Sequence, residues 1–256
     1  MSKSFLRLAA LLAFLLAVLT SAVLLPAYRL VGADFVLSTS LLYDLVDLLW
    51  QWFELFLLAL LVSLITLGVH QVGVHGAKPL YFICGGALLF KYAAAILSSS
   101  IIAGSFDLTI NYGTTVFSFV LELVICGFAA FLTHRTTVNY RAQTRAAQNA
   151  AKRLKQEITH QAPLLPMKKP FAKGNPLQNM LYLGIGMVSF FYFASFVASE
   201  IAFTMMGFTF TWADLPITLL YLLLTVLLPS FLAYLGVYFL VNTLSERYFK
   251  PTEMQE

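Results

Sequence analysis

Long runs of apolar residues, separated by short polar stretches, dominate the chain. Six runs approach the roughly 20 residues that a helix needs to cross a hydrocarbon core of about 30 Å. Charged residues, Pro or Gly bound each run, and the predicted spans cover about 8–25, 49–69, 80–102, 112–132, 180–204 and 215–240. The pattern predicts an all-α protein: a polytopic membrane bundle of six helices that forms a single membrane domain over residues 1–256.

The first two spans need separate interpretation. A basic start at Lys3 and Arg7 is compatible with a signal peptide, but the run is longer than a typical signal core and five spans follow, which favours a retained anchor. In the second span the helical pattern begins near Ser40, and a helix from there to Val69 is about 45 Å long. This helix is therefore expected to protrude, tilt or kink.

Composition agrees with this class. Of 256 residues, 60% are hydrophobic and 11% charged, with a mean hydropathy of +0.82, whereas soluble domains carry about 25% charged residues. With 15% aromatic residues and two Cys, disorder and a disulfide scaffold are excluded as well.

The distribution of Lys and Arg predicts the orientation. With the N-terminus inside, every Lys and Arg except Arg29 and Lys91 lies on the cytoplasmic side, as the positive-inside rule requires. We expect both termini in the cytoplasm and the protein in a cell membrane, either the plasma membrane or a bacterial inner membrane.

Two charges lie near the middle of predicted spans. Lys91 is in the third span and Glu122 is in the fourth, where a charge costs roughly 2.5 to 3.5 kcal/mol on insertion scales. The short loop between these spans makes them antiparallel neighbours, and small or hydroxylated residues, including Thr115 and Ser118, surround the charges. We predict an ion pair between Lys91 and Glu122. It serves either as a substrate or proton site or as a structural pin, that is, an ion pair whose only role is to hold the two helices together.

Weaker candidates lie toward the predicted outer side. Glu200 and Arg29 are expected at the same level, where they either pair or are solvated. Asp44, Asp47 and Glu54 share one face of the helix leading into the second span, which suits a cation site, a partner for Arg29, or an ordinary solvated helix end.

Pro229 falls near the middle of the sixth span. It lacks an N–H group and so leaves the carbonyl of Thr225 without its usual donor. Such breaks act as hinges in transporters, and they also occur as simple kinks.

The segment 134–176 is the longest polar stretch, and a helix is predicted over 138–161. Nine Lys and Arg residues between 135 and 173 face one acid, Glu157. Anionic lipid headgroups are the simplest partner, although topology alone also selects for such charge. A nucleic-acid partner is disfavoured, because the segment has few aromatic residues beside its Lys and Arg residues and contains no known nucleic-acid-binding module.

No catalytic motif is present. His70 and His75 do not share a helical face as a metal pair does, and Cys84 and Cys126 lie inside spans without a paired-cysteine motif. The sequence therefore predicts no enzyme, metal or cofactor.

Two functions of different classes remain. One is a small transporter, or the membrane subunit of one, with Lys91, Glu122, Ser118 and Thr115 as its central polar site and Pro229 as a possible hinge. The other is a non-transporting scaffold or accessory protein whose basic loop binds anionic lipid or a cytoplasmic partner. A homo-oligomer is compatible with either.

Overall fold

A computed structural model describes residues 1–34, 41–103, 112–153, 184–194 and 215–233, with the single positions 182, 197, 235, 236, 239 and 243. Within these residues every regular element is a helix. They are α1 (Lys3–Val18), a π-helical segment (Leu19–Leu24), α2 (Leu25–Asp34), α3 (Leu41–Gly76), α4 (Lys78–Ala103), α5 (Tyr112–Arg153), α6 (Gly184–Ala194), α7 (Leu215–Leu222) and a second π-helical segment (Leu223–Leu227). The chain stays helical from there to residue 233.

Five of the described helical stretches are long and apolar enough to cross a membrane, which fits a helical membrane bundle. They are Lys3–Val31, Leu41–Gly76, Lys78–Ile101, Thr115–Asn139 and Leu215–Ala233. They overlap the first four predicted spans and the sixth. The fifth predicted span, 180–204, is represented by α6, and most of its other residues lie outside the described part. The count of six spans and the orientation of the termini stay predictions.

The helix α3 is the centre of the bundle. Its most apolar stretch is 78% buried, whereas the corresponding stretches of the other four are between 17% and 33% buried. It contacts α1, α2, α4, α5 and the second π-helical segment. The outer helices turn large apolar side chains such as Phe82, Phe190 and Ile217 outward, as expected for surfaces that meet lipid tails.

Small residues allow the first helix to approach its neighbours closely. The hydroxyl of Ser2 accepts a hydrogen bond from the Phe5 amide at 3.2 Å, so α1 begins at Lys3. Ala9, Ala13 and Ala17 follow at four-residue steps and are fully buried. Such a stripe lets helix backbones pack without bulky side chains between them.

The turn between α3 and α4 depends on Gly73. Its φ of 76° and ψ of 173° interrupt the helical conformation, and a side chain is strained at this positive φ. The Ala77 amide bonds back to the Gly73 carbonyl at 3.1 Å. Pro79 then lies in the first turn of α4, where its missing N–H has no helical acceptor.

The fourth span and the helix predicted in the basic loop are one continuous element. The helix α5 has 42 residues and is about 63 Å long at 1.5 Å per residue, about twice the hydrocarbon thickness. Residues 138–153 of the predicted loop helix are helical as part of α5, and residues 154–161 lie outside the described part. No break in the helix separates this segment from the fourth span near His134, because α5 is continuous from Tyr112 to Arg153.

Candidate functional site

Three charged side chains from three helices meet inside the bundle. Lys91 Nζ, from α4, lies 2.9 Å from Oε1 of Glu122 on α5 and 3.1 Å from Oε1 of Glu54 on α3. The Lys91 and Glu122 side chains are only 5% and 4% exposed, and that of Glu54 is 21% exposed. We call Glu54, Lys91 and Glu122 the charge cluster.

The 2.9 Å distance confirms the predicted contact between Lys91 and Glu122. Small residues between the two helices allow this close approach. Cys84 and Ala87 on α4 and Cys126 and Ala129 on α5 are buried. The larger Phe90 and Phe128 are exposed, so the charged faces of α4 and α5 point into the bundle.

Glu54 lies in a different environment from its sequence neighbours Asp44 and Asp47. The acidic face with Asp44 and Asp47 indicated an outer site, but the structure places Glu54 against Lys91. A usable signal was present: Glu54 lies 13 residues after Leu41, the first residue of α3, and Lys91 lies 12 residues before Ala103, the last of α4. At 1.5 Å per residue both are about 20 Å from the same end of the bundle.

The charge cluster is not electrically balanced. Two carboxylates and one ammonium carry a net charge of −1 when all three are ionised. Furthermore, Oε2 of Glu122 is buried and has no hydrogen-bond partner among the described residues. A buried carboxylate oxygen without a partner is expensive, so among the described residues the charge of the cluster is not fully compensated.

Aromatic side chains border the cluster. The Lys91 ammonium lies 4.9 Å from the centroid of the Tyr92 ring, a cation–π distance, and Phe119 packs edge-on against that ring at 5.7 Å. Tyr192, on α6, is close enough to interact electrostatically with Glu54 and Lys91. Sequence reasoning missed both tyrosines because neither belongs to a polar motif.

The two predicted hydroxyl residues lie farther along α5. Ser118 is about one turn and Thr115 about two turns before Glu122, and both are half-buried. Among the described residues, no hydrogen bond joins either hydroxyl to the charge cluster. Cys126 lies about one turn beyond Glu122 and is buried.

The outer polar candidates form separate contacts. The Arg29 guanidinium donates to the Ser99 hydroxyl of α4. Asp47 accepts a 2.9 Å hydrogen bond from Gln51, and Asp44 is exposed in the first turn of α3. The predicted level of Glu200 and its pairing with Arg29 are not tested, because Glu200 lies outside the described residues.

Pro229 follows the second π-helical segment. There the Leu228 amide bonds to the carbonyl of Leu223, five residues earlier. Pro26 follows the first π-helical segment in the same way, after the Leu25 amide bonds to Thr20. A wider turn before each proline relieves the clash between the proline ring and the carbonyl four residues earlier. The hinge role of Pro229 stays a prediction.

A mostly apolar groove of about 710 Å³ opens at the end of the bundle where α3 joins α4. His75 and His134 reach it from different helices. It is lined by residues of α3, α4 and α5, and none of the charge cluster is among them: Val72, Gly73, Val74, His75, Tyr81, Gly127, Ala130, Phe131 and His134.

Within the described ranges, no group of three or more His, Cys, Asp or Glu residues is arranged to hold a metal ion. Comparison of the chain with protein-family models, with curated proteins and with solved structures gives no match.

Proposed function

We propose that the chain is a small transporter, or the membrane subunit of one, whose central polar site is built around Lys91 and Glu122. One observation carries the proposal: in the described part of an apolar helical bundle, two buried or half-buried carboxylates lie around one ammonium. The proposal includes a cell membrane as its location and the cytoplasm as the side of both termini.

The alternative role of the charges is a structural pin. A pin needs one positive and one negative side chain, because such a pair is neutral and compensates its own burial. The second carboxylate adds charge that the pin does not need. Intramembrane ionisable groups without a structural need mark ion or substrate pathways, so the excess carboxylate supports transport over a pin.

Water access to the site tests this proposal. Cys126 lies about one turn from Glu122 and Cys84 lies on the facing helix, so each can serve as a native probe. Thiols react with water-soluble maleimide only as thiolates in contact with water. In the Cys84→Ala variant in lipid vesicles, we expect labelling of Cys126. The Cys126→Ala variant, which keeps Cys84 near the Leu61 carbonyl (Sγ to O, 3.8 Å), is the matched comparison and should label more slowly.

Absence of Cys126 labelling in folded protein would remove the water-filled path that transport requires. Folding is checked independently by the thermal transition of each variant. Labelling that is equal at Cys84 and Cys126 and rises only near that transition would indicate local unfolding, and it too would count against the proposal.

The length of α5 favours a second candidate, a scaffold or accessory protein. The helix continues to Arg153, beyond what a single crossing needs, and carries part of the basic stretch 135–173, where each base near an anionic surface contributes about 1 kcal/mol. We expect phosphatidylglycerol to stabilise the protein more than phosphatidylcholine does, with the difference reduced when Arg141, Arg145, Lys152 and Arg153 are changed to Gln. If the difference in stability between the two lipids is the same in the Gln variant, this stretch does not bind anionic lipid.

A further inference from the structure

We propose that the charge cluster is a binding site for one exchangeable proton, shared by the carboxyl groups of Glu54 and Glu122, and that this proton is the ion the transporter uses. The second part rests on the proposed function. The first part, reversible protonation, stands on the geometry of the cluster alone.

Charge balance is the first argument. Among the described residues, Lys91 neutralises one carboxylate and leaves one unit of negative charge on side chains that are largely buried. A net charge in an apolar interior is strongly unfavourable, and an ionisable group in such a place takes up or loses a proton instead. One proton makes the cluster neutral: a carboxylate and a proton give a carboxylic acid, and Lys91 remains an ammonium.

The position of the ammonium argues for a proton rather than a metal cation. Nζ of Lys91 is within 3.1 Å of one oxygen of each carboxylate, so it occupies the place between them where a metal ion would bind. A second cation there would meet the Lys91 charge at short range. A proton needs no such space, because it bonds to a single carboxylate oxygen.

Both carboxyl groups of the cluster are suited to bind the proton, for different reasons. Oε2 of Glu122 is buried and has no hydrogen-bond partner among the described residues. The Glu54 side chain is the most exposed of the three, at 21%. We therefore assign Glu122 as the inner group that shares the charge of Lys91 and Glu54 as the less buried group that shares the proton with it.

Within the described part of the chain, the groups that face the cluster do not supply a compensating charge. The titratable side chains that interact with it there are Tyr92 on α4, Tyr192 on α6 and Cys126 on α5. Their neutral forms are uncharged hydroxyls and a thiol, which are the ordinary forms of these groups at neutral pH. Compensation therefore falls to the two glutamates.

Infrared difference spectroscopy of the protein in lipid tests the protonation. We expect a carboxylic-acid C=O band equivalent to one group per chain that disappears reversibly as pH rises within the range where buried carboxyls titrate, roughly pH 4 to 9. Glu54→Gln leaves a neutral Lys91–Glu122 pair and should lose the band. Glu122→Gln leaves a neutral Lys91–Glu54 pair and should lose it too.

Asp44→Asn is the matched control, because it removes an exposed carboxylate from the same helix as Glu54. It should leave the band unchanged. A wild-type protein without the band, a band with the same amplitude at every pH, or a band that survives in both glutamine variants would each overturn the proton site. Folding of every variant is verified by its thermal transition. Because both single glutamine variants should lose the band, the proposal can still be tested if one of them does not fold.

The result is separable from the test of transport. A titrating band together with an unlabelled Cys126 would support the proton site and contradict the transporter function. A labelled Cys126 without a titrating band would support the water-filled path and contradict the proton site. If Na⁺ replaces H⁺, so that added NaCl abolishes the band at constant pH and ionic strength, the assignment of the ion is wrong.

Discussion

The indole Nε1 of Trp52 on α3 donates a hydrogen bond of 2.9 Å to the main-chain carbonyl of Leu224. That carbonyl lies five residues before Pro229, within the second π-helical segment. Because the hydrogen bonds there run over five residues, the missing N–H of Pro229 deprives Leu224 of a donor, and not Thr225 as the α-helical register predicted. Trp52 supplies the donor from another helix.

We expect Trp52→Phe to lower stability by about 1 kcal/mol, the scale of an interhelical hydrogen bond in a membrane protein. The transition temperature should fall by a few degrees in a chain of this size, at roughly 2 to 4 °C per kcal/mol. Pro229→Ala restores a main-chain donor, so the cost of Trp52→Phe should shrink in that background. Equal costs in both backgrounds would show that Trp52 does not compensate the proline.

The charge cluster should respond unequally to the loss of its members. Lys91→Met strands two buried carboxylates and should cost about 3 kcal/mol or more, as for other broken buried pairs. Glu122→Gln leaves Lys91 with Glu54 and should cost far less. Thermal transitions and membrane abundance of the two variants measure the difference.

A triple variant is the control for that prediction. Lys91→Met with Glu54→Gln and Glu122→Gln contains no stranded charge, so it should be more stable than Lys91→Met alone. If Glu122→Gln instead proves as damaging as Lys91→Met, Glu54 is not a working partner of the ammonium.

The packing of α6 on α3 predicts opposite effects for two nearby glycines. A Cβ at Gly184 would lie 2.6 Å from Cγ1 of Val62, a fully buried and β-branched residue with little freedom to move. Gly184→Ala should therefore cost about 1 to 3 kcal/mol. Gly186→Ala meets no described atom within 4 Å and should be neutral or slightly stabilising, since Ala is the better helix former. Similar transition temperatures for both variants would contradict the α6–α3 contact.

The positive φ of Gly73 predicts a backbone effect at the turn between α3 and α4. Its Cβ position is open, so Gly73→Ala should cost about 1 to 3 kcal/mol from conformation alone. Gly85→Ala, inside α4 and equally open, is the control and should not destabilise. A tolerated Gly73→Ala would mean that the turn adopts another conformation at little cost. Thermal unfolding of the two variants in the same detergent gives the comparison.

An all-helical membrane bundle and the positions of most of its helices could be predicted from the hydropathy of the chain. Helix positions follow from hydropathy, because a run of apolar residues has one favourable arrangement in a membrane. The meeting of Lys91 and Glu122 was predictable for a related reason: a short loop makes their helices antiparallel neighbours at similar depth.

The way in which the helices face one another could not be predicted, because it depends on side-chain packing between them. Glu54 joined the cluster because α3 is central and turns that side chain toward α4, a rotation that its acidic neighbours in sequence did not indicate. The same packing brought Trp52 to the carbonyl of Leu224. Local pattern determines where a helix lies along the chain, whereas side-chain packing between helices decides its rotation, and with it which buried charges meet.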